Sequence, residues 1–158
     1  FSRGAQTVRD VMTKDVTCLE ESDKLSHAME VMQDHSIRHV PVVDGDARLK
    51  GMLSDREVLK FLPTPDQLPE VRGTGFRDRL FSVEEDAAVA RQNVQTVMVR
   101  EPVSVTPETL LTDAMKRLCE DTISGLPVVD TKSGKLTGIV TTADILRVFR
   151  VVMSIGSR

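Results

Sequence analysis

The sequence predicts a mixed α/β fold of the α+β kind, in which two copies of a β-α-β-β-α unit form one compact domain. Three observations predict it. The 158 residues write one pattern twice at a fixed offset. Each copy carries one apolar stripe at helical spacing, and each carries a pair of short β-branched runs separated by turn residues. An offset of 86 positions sets Pro41, Val42, Val43 and Asp44 on Pro127, Val128, Val129 and Asp130. The same offset sets Val11 and Met12 on Val97 and Met98, and Ile37 on Ile123. One extra residue in the second turn then sets Gly51 on Gly138, Ser54 on Thr141, Glu57 on Asp144 and Leu59 on Leu146. Matches kept in order over so long a span are a tandem duplication, covering residues 8–62 and 94–149.

Each copy opens on a short strand. A helix follows, with Leu25, Ala28, Met29 and Met32 at i, i+3, i+4 and i+7, repeated by Leu111, Ala114, Met115 and Leu118. These stripes are expected to be core. Val40–Val43 and Leu126–Val129 are the next strands, ended by Asp44, Gly45 and Asp46 in one copy and by Ser133 and Gly134 in the other. Leu49–Leu53 and Leu136–Val140 return, and the closing helices open at Ser54 and Thr141. A single copy would leave one sheet face apolar and uncovered, and two copies can bury those faces. Residues 63–93 form an insert. Its prolines in "LPTPDQLPE" predict an irregular connection, and "FRDRLFSVEEDAAVARQ" predicts one or two short helices, with Ser82 as a cap ahead of Glu84 and Glu85. Packing on the module, shaping a pocket rim and touching a partner all stand open as its role.

Composition excludes several classes. Hydrophobic residues make up 40% and charged residues 28%, ordinary for a globular protein. No apolar run reaches the length of about 18 residues that a membrane span needs. No signal peptide is visible, and because the sequence starts at Phe1 rather than Met, removal of upstream residues stays open. A net charge of −3, 3% aromatics and no Trp or Tyr argue against nucleic acid, which calls for clustered cations and stacking rings. Cys18 and Cys119 are far apart and are read as thiols in a reducing compartment, the cytoplasm. His35 and His39 are four apart, but the strand beginning at Val40 prevents a two-histidine metal face on one helix. His27 is expected at the surface or at an interface edge. No Gly-rich phosphate loop, H-E-x-x-H, C-x-x-C or G-x-S-x-G occurs, so neither catalysis nor a metal is expected.

Both copies close on a hydroxyl and an acid three residues apart: "SDRE" from Ser54 to Glu57 and "TTAD" from Thr141 to Asp144. Two readings stand side by side. In one the motif is a capping box, which satisfies the backbone N–H groups at a helix start and binds nothing. In the other the helix N-terminus attracts a phosphate, the hydroxyl adds a hydrogen bond, and the carboxylate accepts the two hydroxyls of a ribose diol. Ile37 and Val40, or Ile123 and Leu126, would line a slot for a flat base.

The two stretches "VMTKDVTCLEESDKLSHAMEVM…SIRHVPVVD…LKGMLSDREVL" and "VMVREPVSVTPETLLTDAMKRL…TISGLPVVD…KLTGIVTTADIL" resemble a pair of CBS domains, the cystathionine β-synthase type repeat. The resemblance covers residues 8–62 and 94–149 and implies a pseudo-twofold pair, a Bateman module. It further implies a regulatory, non-catalytic module that binds AMP, ADP, ATP or S-adenosylmethionine between the repeats and forms homodimers. The hydroxyl-x-x-Asp motif falls on Thr141 and Asp144, with Ala143 as a small neighbour. The facing base contacts fall on Met12, Thr17 and Ile37. A second cleft would pair Ser54, Arg56 and Glu57 with Met98, Val103 and Ile123. There Glu57 departs from the family's Asp, and its extra methylene displaces the carboxylate. Arg38, His39 and Arg56 would supply cationic groups that suit a polyphosphate. Arg38 and His39 also have the plainer reading of solvated residues or of partners for Asp34 or Asp55. Lys60, Arg147 and Arg150 are in reach of a terminal phosphate but also suit a solvent face, the preferred reading. The rival to the sensor is a structural or dimerisation module with no small ligand, in which both closing motifs are only caps.

Overall fold

The computed structural model describes residues 6–61 and 87–156. The chain begins with a single 3-10 turn, Val8–Asp10, followed by β1 (Leu19–Glu20), α1 (Leu25–Asp34), β2 (His39–Val43), β3 (Leu49–Ser54) and α2 (Asp55–Phe61). The later part runs α3 (Ala87–Ala90), α4 (Val94–Val97), β4 (Val99–Arg100), α5 (Leu111–Glu120), β5 (Gly125–Val129), β6 (Leu136–Thr141) and α6 (Thr142–Ile155). The strand, strand and helix series expected in each copy is therefore present. Most of the insert, with the expected Ser82 cap, lies outside the described residues.

The chain divides into two compact units. The first comprises Phe1–Val16, Asp46–Leu49 and Pro102–Arg158, and the second comprises Thr17–Gly45 and Lys50–Glu101. Each unit thus contains chain from both repeats. In the second unit β1 runs parallel to β2, and β4 pairs antiparallel with β3. In the first unit β5 and β6 form an antiparallel pair, Val105 bridges Val128 in parallel, and Thr13 bridges Ile139 antiparallel. These bridges stand where β1 and β4 stand in the other unit.

The exchange of opening segments is fixed by backbone hydrogen bonds that repeat at the sequence offset. Neither α1 nor α5 has a side-chain cap at its start. The Leu25 N–H donates instead to the Gln92 carbonyl, and the Leu111 N–H to the Gln6 carbonyl. In return Val94 donates to Asp23, and Val8 to Thr109. The segment ahead of each repeat therefore satisfies orphan donors at the first helix of the other repeat. Left-handed backbone recurs in step as well: Asp15 and Glu101 have φ of 54° and 46°, and Ser36 and Thr122 have φ of 52° and 51°. Such conformations are costly for non-glycine residues, so their duplication marks geometry that both copies require.

The cores are apolar and separate. Leu25, Val40, Leu53, Val58 and Val94 are fully buried in the second unit, and Val8, Leu126, Val128 and Val140 in the first. One expectation fails. Met115 is 40% exposed, although its counterpart Met29 is 6% exposed. Val89 of α3 packs against the second unit's core and widens the covered stripe on α1. On α5 only Leu111, Ala114 and Leu118 are buried, a narrower stripe that leaves Met115 at its edge.

Candidate ligand site at the closing helices

β6 reaches Thr141 in extended conformation, φ −117° and ψ 164°, and α6 begins at the next residue. The Thr141 N–H donates to Asp144 Oδ2 at 2.8 Å, and the Thr141 hydroxyl donates to the same oxygen at 2.9 Å. The Asp144 N–H points back at the Thr141 hydroxyl oxygen over 3.4 Å. The capping box expected from the spacing is thus formed. Asp144 is nevertheless unlike an ordinary surface cap: it is 5% exposed. Its other oxygen, Oδ1, accepts from Arg147 Nη1 at 2.9 Å and lies 3.5 Å from the Thr13 hydroxyl.

Thr13 arrives through backbone pairing. Its N–H donates to the Ile139 carbonyl at 2.8 Å, and the Ile139 N–H donates back at 3.0 Å. Gly138 permits the approach: a Cβ there would stand 2.8 Å from the Thr13 carbonyl oxygen and 3.0 Å from Met12 Sδ. Met12 packs, half-buried, against the first unit's core. Within one unit, then, Thr13 of the first repeat meets Asp144 of the second, and Met12 lies beside Gly138.

The other copy repeats the design with a longer acid. The Ser54 N–H donates to Glu57 Oε2 at 3.1 Å, and the Ser54 hydroxyl donates to the same oxygen. Lys60 Nζ stands 3.9 Å from Glu57 Oε1. Gly51 lies under Met98, and its Cβ would also stand 2.9 Å from the Val99 carbonyl oxygen. Arg38 Nε pairs with Asp55 Oδ2 at 2.9 Å, the plainer of the roles expected for it. Burial pushes the His39 pKa down, opposed by the negative Asp55 and Glu57 and reinforced by the positive Arg38 and Arg56. Lys60 and Arg147, expected on a solvent face, are exposed but pair with the closing acids.

The remaining candidates divide between the units. Thr17 and Ile37 are half-buried residues of the second unit, and Ile37 packs on its core. Ile123 packs on the core of the first unit, where Val103 and Ala143 are exposed. Two residues escaped sequence reasoning, Thr13 and the paired role of Arg147. The repeat carries no signal for Thr13, since its counterpart in the other copy is Val99, which has no hydroxyl. Cys18 is half-buried and Cys119 exposed. Burial pushes the Cys18 thiol up, the reverse of what an activated nucleophile needs. Among the described residues, no group of three or more His, Cys, Asp or Glu is arranged to hold a metal ion, and no helix is long and apolar enough to cross a membrane.

The CBS domain pattern matches residues 8–64 and 94–151. The chain belongs to the CBS-domain family. A CBS domain-containing protein of Dictyostelium discoideum is 31% identical over 139 residues, which cover 88% of each chain. The crystal structure of CBSX2 in complex with AMP is 28% identical, with a TM-score of 0.72 over 92% of this chain and 97% of that one; CBSX2 is a CBS-pair protein from Arabidopsis thaliana. The CBS domain pair of protein MJ0100, in complex with 5'-methylthioadenosine and S-adenosyl-L-methionine, is 20% identical with a TM-score of 0.70, covering 92% of this chain and 97% of that one. At that identity the likeness establishes the fold alone.

Proposed function

We propose that this CBS pair is a regulatory, non-catalytic module that binds an adenosine-type ligand, AMP, ADP, ATP or S-adenosylmethionine, at the start of α6. Asp144 accepts the ribose hydroxyls, and Thr141 with the N-terminal end of α6 faces the phosphate or its counterpart. One observation carries this reading. A carboxylate 5% exposed, at the head of a 14-residue helix, is met by a hydroxyl from the other repeat. The AMP bound by CBSX2 supports the ligand class. The roles of Met12, Thr17, Ile37 and Ala143 rest on the family resemblance. A second, weaker site around Ser54, Glu57 and Met98, with Arg38, His39, Arg56, Val103 and Ile123, rests on it too, and there the glutamate argues for the cap. The thiols suit a reducing compartment such as the cytoplasm.

Thermal unfolding in the presence of AMP, ADP, ATP and S-adenosylmethionine tests this. A ligand at 100 times its dissociation constant stabilises the folded chain by about 2.7 kcal/mol, a shift that is readily measured. The absence of a shift with all four favours the ligand-free alternative, in which the chain serves dimerisation. Homodimer formation itself belongs to both readings. It is supported by the exposed apolar residues Leu146, Phe149, Val152 and Met153 of α6.

A further inference from the structure

We infer that Arg147 is a built-in competitor for the ribose site, and that it makes the site select phosphorylated nucleosides over neutral ones. The inference rests on the ligand reading above. An ionised carboxylate has about four lone-pair positions. On Asp144, two on Oδ2 face the Thr141 N–H and hydroxyl, at 2.8 and 2.9 Å. The two on Oδ1 face Arg147 Nη1 at 2.9 Å and the Thr13 hydroxyl at 3.5 Å. No acceptor position is left for an incoming diol. The Oδ2 bonds are local and hold the helix start, so the diol must enter at Oδ1, and the strong occupant there is the guanidinium. Arg147 can leave, because its side chain is 71% exposed while that of Asp144 is 6% exposed.

Displacement has a chemical consequence. The bond that breaks joins two ions, whereas the hydroxyl bonds that replace it are assisted by the carboxylate charge alone. A neutral nucleoside bears the loss of that ion pair uncompensated, which lowers its affinity about two- to fivefold. A ligand with its own anion gives the released guanidinium a new partner, at the helix end where negative charge is already favoured. The device is duplicated, since Lys60 stands on the free oxygen of Glu57 at the equivalent spacing.

The test is calorimetric titration of the full chain, unchanged and with Arg147→Ala or Arg147→Lys, against adenosine and AMP, with urea unfolding as the check on folding. The inference expects Arg147→Ala to tighten adenosine roughly two- to fivefold, the range of an exposed ion pair. It expects the same change to weaken AMP by about tenfold, so that the preference for AMP collapses. Arg147→Lys, which keeps the charge, retains part of that preference. An AMP-to-adenosine ratio unchanged in Arg147→Ala, or Arg147→Lys behaving as Arg147→Ala, overturns the inference while leaving the site intact. An unchanged chain that binds neither compound overturns the site and the inference together.

Discussion

The two oxygens of Asp144 have different neighbours, and substitutions separate what each does. Oδ2 belongs to the helix start, so Thr141→Ala should lower stability by about 1 kcal/mol in urea unfolding, as loss of an N-cap does. This part of the site was legible in the sequence because its partners lie three residues apart. The contact with Thr13 was not legible, because it joins residues 131 positions apart and depends on a bridge that no local pattern announces. His39 gives a second prediction at this scale. Burial, the leading cause, holds its pKa in the folded chain below the ordinary 6.5. As pH falls, the unfolded chain therefore takes up this proton first. The His39 contribution to stability is fully present above about pH 6.5 and is lost as pH falls toward the folded pKa. Urea midpoints at pH 7.5 and 5.5 should differ less in His39→Gln than in the unchanged chain; equal differences would contradict the assignment.

Strands and glycines carry the argument one level up. Gly51 and Gly138 were matched by the repeat, but their role appears only once chain from the other repeat lies across each. A Cβ at Gly138 meets backbone, the Thr13 carbonyl oxygen, which cannot swing aside. Gly138→Ala should therefore cost about 1–3 kcal/mol, the usual penalty of overpacking. Gly45→Ala is the control, because nothing lies within 4 Å of its Cβ position. Its urea midpoint should stay near that of the unchanged chain. On α6 apolar residues stand uncovered: Leu146 is 61% and Phe149 59% exposed. The lesson comes from Met115, since a stripe at helical spacing states which residues share a face and not how far the neighbouring core reaches. If the exposed α6 face joins two copies, Phe149→Glu should convert a dimer to a monomer in light scattering. A monomeric unchanged chain, or a variant that remains dimeric, would remove that assignment.

Across the whole molecule, the duplication was the strongest signal in the sequence, and its offset returns in the hydrogen bonds of Leu25 with Gln92 and Leu111 with Gln6. What the repeats could not announce is the exchange of their opening segments. Val8 and Val94 occupy equivalent places, so either could pack on either copy without changing the local pattern. The exchange is what brings Thr13 to Asp144, so that one unit joins the opening segment of one repeat to the closing motif of the other. A regulatory role then requires that the ligand bind one state of the molecule better than another, since only that difference shifts the population. The central claim is that the Asp144 carboxylate grips the sugar of an adenosine ligand. Calorimetric titration of AMP into the unchanged chain and into folded Asp144→Ala tests it most directly. Hydrogen bonds to a charged group are worth about 1.5–3 kcal/mol each, so the account predicts saturable binding that weakens by at least about tenfold in the variant. Equal affinities in the two proteins would contradict it.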